Sequence, residues 1–378
     1  MGPLAGIRVL EFEAIGPAPF AGMLLADMGA DVLVLERPAS TDLGLKRERR
    51  HDVMMRGKRS VTLDLKRSKA PALDLIEKAD VLIEGFRPGV MERLGLGPDV
   101  ALARNSRLVY GRMTGWGQDG PLAPRAGHDI NYIALAGVLH AFGRKGDAPV
   151  PPLNLIGDFG GGGMLLAFGV ACALLEARRS GKGQVVDAAM VDGAALLAAM
   201  FSGMLAAGTW TEERGANILD TGAPWYEVYE TKDGKYVSIG AIEARFYREL
   251  LSRLGIDSVP AQHDRARWPE MRATFAQAFK ARTRDEWCAV FDGSDACFAP
   301  VLSWSEARLH EQSTARKSTI SVGGVEQPAS APRFSRTPGA VRRAPPERGE
   351  GGRQALADWG FDGAGIARLE EQGLNGRG

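Results

Sequence analysis

His128 and Asp158 are the residues whose types and placing point most directly to chemistry. Each lies where a turn is expected to feed a helix: His128 in Ala126-Gly127-His128-Asp129-Ile130-Asn131-Tyr132, and Asp158 in Asn154-Leu155-Ile156-Gly157-Asp158-Phe159-Gly160-Gly161-Gly162-Gly163-Met164. Two titratable groups so placed can remove a proton from one face of a carbon and return one to the other. Each residue also has a plainer reading: a helix-start histidine with a satisfied hydrogen bond, and an N-cap, a position that Asp favours. The glycines at 160–163 weigh toward function. Each lowers helix propensity by about 1 kcal/mol relative to Ala, a cost expected where something must approach the backbone closely. Gly115-Trp116-Gly117-Gln118-Asp119-Gly120-Pro121 follows a strand and reads as a fixed loop of similar character.

Other chemistries lack their signatures. No Gly-x-Ser-x-Gly elbow is present, and no Cys stands near a His in a recognisable pattern. No His-Glu-x-x-His or paired Cys supports a catalytic metal. His51, His140, His263 and His310 sit in polar or amphipathic contexts that suit surface or packing roles. The strand–turn–helix–strand opening, with Glu36 ending the second strand, invites a dinucleotide reading. Its turn, Ala14-Ile15-Gly16-Pro17-Ala18-Pro19, lacks the three-glycine spacing, and its prolines remove amide donors. Arg37, Arg56, Lys58, Arg59 and Arg93 could hold the phosphates of a nucleotide-like group. A solvated basic surface is the alternative, and composition alone favours it.

The elements that must position these residues follow from patterning. The chain has 378 residues, 47 Lys+Arg against 46 Asp+Glu, and no overall basic character that would suit nucleic acid; residues 46–50 and 56–59 are local exceptions. Strands are expected at 7–12, 31–36, 61–65, 81–84, 108–113 and 184–188. Helices are expected at 17–28, 68–79, 159–175 and 190–207. Short apolar strands separated by helices predict a mostly parallel sheet covered on both faces. A hairpin at 226–231 and 236–239 and amphipathic helices at 245–254, 268–279 and 284–291 predict a smaller α+β unit. The resulting division is a large α/β domain at 1–190, a connecting helix at 191–214, a small domain at 215–325, and an extended connector with a C-terminal helix (354–372) at 326–378. The uncharged stretch at 193–211 lacks membrane anchors and reads as a buried core helix. Three scattered cysteines (Cys172, Cys288 and Cys297) fit a reducing compartment. With no leader pattern or C-terminal targeting box, the protein is expected to be cytoplasmic, with neither nucleic acid nor membrane as a partner.

Several segments together resemble the class III CoA-transferase and α-methylacyl-CoA racemase family. They are Pro3-Leu4-Ala5-Gly6-Ile7-Arg8-Val9-Leu10-Glu11, Gly29-Ala30-Asp31-Val32-Leu33-Val34-Leu35-Glu36-Arg37-Pro38, Glu84-Gly85-Phe86-Arg87-Pro88-Gly89-Val90, the loop at 115–121, Gly181-Lys182-Gly183-Gln184-Val185-Val186-Asp187 and Ala331-Pro332-Arg333-Phe334-Ser335-Arg336. Transferases of this family carry an aromatic residue where this chain has His128, and use their Asp as a nucleophile. The racemase branch has the Gly-His-Asp-Ile-Asn-Tyr and Gly-Asp-Phe-Gly-Gly-Gly patterns and a small-domain glutamate. Here these correspond to His128, Asp158 and Glu243.

The resemblance implies a large Rossmann-like domain plus a smaller α+β domain, and an interlocked homodimer. His128 and Asp158 would come from one chain and Glu243 from its partner. It implies CoA contacts at Ile15, Arg37, Met55, Lys58, Gly85, Phe86 and Arg93, with CoA as part of the substrate and no separate cofactor or metal. Gly85 departs from the Asn common in transferases. The expected reaction is epimerisation of (2R)- and (2S)-2-methylacyl-CoA by 1,1-proton transfer through an enolate. The Asp129 backbone N–H would donate to the enolate oxygen at the start of a helix over 129–142, and Glu243 would orient His128. Met113, Met190, Met200 and Met204 would offer an adaptable acyl surface, with ordinary core filling as the alternative. The rival activity is a CoA-transferase working through an aspartyl intermediate.

Overall fold

Six short runs rich in Val, Leu and Ile form an all-parallel sheet: β1 (Arg8–Phe12), β2 (Asp31–Glu36), β3 (Arg59–Thr62), β4 (Val81–Glu84), β5 (Val109–Thr114) and β6 (Gln184–Ala189). The computed structural model describes residues 2–39 and 48–377; Lys46 and Arg47 of the basic stretch lie outside them. Strand order is β3-β2-β1-β4-β5-β6, a doubly wound arrangement whose order reverses between β1 and β4, where such sheets open a crevice at their carboxyl ends. β1 to β5 are almost wholly buried, which is why they lack the alternation of a half-exposed sheet.

Apolar layers cover both faces. On one, Leu10, Leu33 and Leu82 pack with Leu75 and Ile76 of the Ala70–Lys78 helix and with Leu356, Trp359 and Leu369 from near the C-terminus. On the other, Val9, Val32 and Ile83 meet the Pro17–Asp27 helix, whose prolines occupy its first turn, and Leu166 and Val170 of the Leu165–Ser180 helix. The chain after residue 326 is strapped along the β3 side of the sheet. The buried Arg56 pairs with Asp27 at 2.6 Å and donates to Gln327 Oε1 at 3.0 Å and the Pro328 carbonyl at 2.7 Å. Ser60 N–H donates to the Glu350 carbonyl at 3.0 Å.

Two compact units emerge, with boundaries different from those expected. The first comprises residues 1–136, 152–197 and 317–378, and the second residues 137–151 and 198–316. The second unit has an antiparallel sheet of β7 (Tyr226–Glu230), β8 (Tyr236–Gly240) and β9 (Phe298–Pro300). Trp225, Tyr229, Phe275, Phe279 and Trp287 form its core. Within it, Arg144 grips the buried Glu227 carboxylate through two hydrogen bonds of 2.8 and 2.9 Å, fastening the 137–151 excursion. The expected hairpin and the three helices beyond it are present; β9 and the β10 (Thr319–Val322)–β11 (Val325–Pro328) hairpin were not anticipated.

Several single helices of the sequence reading are broken. Residues 190–207 form Met190–Leu197 and Ala199–Ala206, and the latter buries none of its residues, so it is not the buried core helix expected at 193–211. Residues 354–372 form Gly352–Asp358 and Gly363–Glu371. The helix expected over 129–142 ends at Leu135, with left-handed Gly137 separating it from Val138–Ala141. The segment expected as a helix from 159 begins as a π-helix, Leu155–Met164, before becoming α-helical at Leu165.

The glycine run is consumed by packing of the chain on itself. A Cβ at Gly163 would lie 2.6 Å from the Pro17 carbonyl oxygen, and one at Gly161 2.6 Å from the Ala194 nitrogen. A Cβ on Gly193 would fall on the Gly161 carbonyl oxygen. Gly193→Ala is therefore expected to cost about 1–3 kcal/mol through overpacking, read as a lowered urea midpoint. Gly363→Ala, where nothing lies within 4 Å, should leave the midpoint unchanged or slightly raised.

Candidate active site

The carboxyl ends of β1 and β4 deliver two turns to one place. Residues 13–16 follow β1, and Gly85-Phe86 follow β4. A Cβ on Gly85 would stand 2.9 Å from the Ala14 Cβ, so glycine there lets the two turns touch. Glu84 holds the second turn: its carboxylate accepts the Phe86 N–H at 2.7 Å and the Arg112 Nε–H at 2.9 Å. The turns open onto a cavity of about 1100 Å³ within the first unit.

His128 and Asp158 both line this cavity. His128 is the N-cap of the Asp129–Leu135 helix, with extended backbone (φ −134°, ψ 172°). The Asn131 side chain accepts its backbone N–H at 3.0 Å, which fixes where the chain enters the helix and leaves the imidazole outside it. Asp158 is not an N-cap; it lies in the first turn of the π-helix. Such wide turns recur at functional sites because they displace a side chain from the α-helical path. Its backbone N–H donates to Asp129 Oδ2 at 2.7 Å, and Asn154 Nδ2 donates to its Oδ2 at 2.9 Å.

Burial pushes the Asp158 carboxyl above its ordinary range; the Asn154 hydrogen bond opposes this, the neighbouring Asp129 carboxylate adds to it, and His128 opposes it. Tyr132, stacked edge-on against Trp116 at 4.7 Å, packs beside the pair; burial, then the nearby Asp158, raises its phenol. Gly16, at φ +66°, faces the Asp158 carboxylate, since a Cβ there would lie 3.2 Å from Oδ2. An acidic side chain thus stands at the turn where a dinucleotide fold would seat a pyrophosphate.

The remaining expected residues divide. Ile15, Arg37, Met55, Gly85, Phe86, Met113 and Met190 line the cavity. Lys58 does not serve as a free cation: fully buried, its ammonium donates to both Glu11 carboxylate oxygens at 2.7 Å and to the Pro19 carbonyl at 2.9 Å. Arg56 and Arg59 are likewise buried in ion pairs, Arg59 with Asp31 and Asp358, so they are neither phosphate ligands nor a solvated surface. Arg93 is exposed at the end of the Val90–Arg93 helix and is not part of the cavity lining. Glu243 belongs to the second unit, exposed as the N-cap of the Ala244–Leu254 helix. Met200 and Met204 also belong to the second unit and do not line this cavity.

Residues not singled out complete the site. Arg49, Arg87, Arg125 and Arg348 join Arg37 along the cavity. Arg348 reaches it from the C-terminal strap, donating to Glu13 at 2.5 Å and to the Arg37 carbonyl at 2.7 Å. Although burial opposes it, hydrogen bonds from Arg348 and Arg37 hold the Glu13 carboxyl below its ordinary range. Asn154 stands four residues before Asp158, a spacing that could have flagged it; nothing local could have flagged Arg348. Among the described residues, no group of three or more His, Cys, Asp or Glu side chains could hold a metal ion.

The chain thus carries a doubly wound parallel sheet with His128 and Asp158 on the cavity at its switch point, beside a row of arginines. Residues 4–351 match CoA-transferase family III, and the chain belongs to that family. It is 45% identical to the α-methylacyl-CoA racemase of Mus musculus over 97% of this chain and 96% of the relative, and 43% identical to that of Homo sapiens over 95% and 94%. In structure it is similar to a CAIB/BAIF family protein from Brucella suis, with a TM-score of 0.80, 26% identity, and coverage of 95% of this chain and 99% of that one.

Asn154→Ala removes a hydrogen bond that favours the Asp158 carboxylate. The Asp158 pKa should therefore rise further, and the fraction ionised at neutral pH should fall. A carboxyl-carbon NMR titration of the two proteins checks the direction.

Proposed function

We propose that this protein is an α-methylacyl-CoA racemase that interconverts (2R)- and (2S)-2-methylacyl-CoA thioesters. The observation that carries the reading is the joint placement of His128 and Asp158 on one cavity flanked by arginines, in a chain 43–45% identical to two racemases. The CoA phosphates lie toward Arg37, Arg49 and Arg348, which suit phosphate because each guanidinium is a fixed fork of donors. Ile15, Met55 and the Gly85-Phe86 turn flank the nucleotide, and the acyl chain runs past Met113 and Met190, whose side chains adapt to either hand.

With one hand bound, the ionised Asp158 or the neutral His128 takes the C2 proton. The C2–H electron pair moves into the C1–C2 bond, and the thioester π pair moves to oxygen. The opposite group, in its protonated form, returns a proton to the other face of C2. The roles exchange for the other hand. A positioned base contributes only about 10²–10⁴-fold, so the enolate oxygen needs a prepared donor. The Asp129 N–H has no intrahelical partner by its position in the first turn and carries the partial positive charge of the helix start. The raised Asp158 pKa narrows the gap to the weakly acidic carbon. No cofactor other than the CoA of the substrate enters this scheme.

The reading includes a homodimer in which the partner's copy of Glu243 orients His128. Its support is the exposure of Glu243 and of an apolar stripe that runs from Met164, at the end of the π-helix, through Phe168 and Leu175 of the Leu165–Ser180 helix. That helix lies within Leu155–Ser180, which is long and apolar enough to cross a membrane; a second copy is the covering proposed here. Free Cys172, Cys288 and Cys297 suit the cytoplasmic location.

Incubation of (2R)-2-methylacyl-CoA in D₂O without any carboxylic acid acceptor tests the reaction. The expected result is deuterium at C2 and accumulation of the (2S) form. His128→Ala and Asp158→Ala should each slow racemisation by at least roughly 10²-fold while leaving CoA affinity within about threefold. If C2 keeps its proton while an added carboxylate captures CoA, the protein is a transferase acting through Asp158.

A further inference from the structure

Asp129 contributes more to this site than the backbone N–H at its helix start. It is 5% exposed, an unusual depth for a carboxylate that forms no ion pair among the described contacts. Oδ2 accepts the Asp158 N–H at 2.7 Å, and Oδ1 makes no hydrogen bond within the protein. A Cβ on Gly157 would lie 2.6 Å from Oδ2, so the π-helical backbone has been drawn directly onto this carboxylate. Leaving one oxygen of a buried carboxylate without a partner is costly, and packing alone would be served as well by an apolar side chain. The bond joins two segments that are otherwise separate in sequence: the helix capped by His128, and the turn carrying Asp158.

We propose that the Asp129 carboxylate is a positioning residue, which fixes the backbone of the turn that carries Asp158 and so the placing of Asp158 relative to His128. The proposal rests on the proton-transfer reading above. A carbon whose two faces are served by two groups requires both to be held at once, and misplacement by about 1 Å can cost on the order of 10²-fold. One short hydrogen bond to the backbone of residue 158 itself provides that restraint without occupying the Asp158 carboxylate. The groups facing Asp158 are His128, Asp129 and Tyr132 from the helix side and Asn154 from its own segment. From the β1 side Gly16, without a side chain, meets it. Asp129 is therefore the one like charge close to Asp158 among the described residues.

The test compares Asp129→Ala and Asp129→Asn with wild type by amide hydrogen exchange of residues 155–164, CoA titration calorimetry, and the pH profile of C2 deuterium exchange. Asn can still accept the Asp158 N–H but carries no charge. In Asp129→Ala, exchange at 155–164 should accelerate by roughly tenfold and kcat fall by roughly 10²-fold, with CoA affinity little changed. Asp129→Asn should restore the amide protection and most of kcat. Its acidic limb should lie at lower pH, because removing the like charge lets Asp158 ionise more readily. The proposal is overturned if Asp129→Ala leaves protection and kcat at wild-type values. It is overturned equally if CoA affinity falls with kcat in both variants, or if the acidic limb of Asp129→Asn does not move. Should wild type fail to exchange the C2 proton at all, the racemase reading falls. Amide exchange and the carboxyl titration of Asp158 then decide the positioning claim by themselves.

Discussion

Backbone contact through the glycines at 160–163 is the constraint on which the site depends. The Pro17–Asp27 helix and the Met190–Leu197 helix both press against this run at distances that exclude any side chain. The Pro17–Asp27 helix also covers β1, and the Met190–Leu197 helix continues directly from β6. The π-helical segment is thus held between the switch point of the sheet and its β6 edge, and Asp158 emerges at the carboxyl ends of the strands. The unfavourable helix propensity of this run is offset by the close packing of the two helices against it, and the result places the Asp158 carboxyl where ligands of doubly wound sheets collect.

Electrostatics follow from the same geometry. The positive charge near the N-terminal half is divided by depth. Arg56, Lys58 and Arg59 are buried and matched by Asp27, Glu11, Asp31 and Asp358. Breaking such pairs one-sidedly is costly because it strands a buried charge. Arg37, Arg49, Arg87, Arg125 and Arg348 instead face the cavity, where a polyanionic group can be met. The inner end of the site is different in kind: a partly buried carboxyl with a raised pKa beside His128, suited to exchanging a proton rather than holding a phosphate.

Much of this was legible in the sequence, for physical reasons. Strands such as 31–36 and 81–84 stood out because a sheet buried on both faces leaves uninterrupted apolar runs. His128 and Asp158 stood out through their glycine-rich surroundings, although the glycines turned out to accommodate neighbouring helices rather than a ligand. The errors share a cause. Lys58 and Arg56 look like surface cations because a local window cannot show that Glu11, Asp27 and Gln327 lie opposite them. Arg348 was missed because it arrives from a strap more than three hundred residues beyond Glu13, its partner. The membership of 137–151 in the second unit depends on the buried Glu227, far along the chain. The π-helix was invisible because its apolar content resembles that of the α-helix it precedes.

The central claim is that two different groups serve the two faces of one carbon. The most direct measurement follows C2 deuterium incorporation from D₂O separately into pure (2R) and pure (2S) substrate, with His128→Asn and Asp158→Asn. A variant that keeps one base should exchange the epimer whose proton faces that base, without inverting it. The account predicts exchange of opposite epimers by the two variants, and inversion by neither. Exchange of the same epimer by both, or inversion by either, would contradict it.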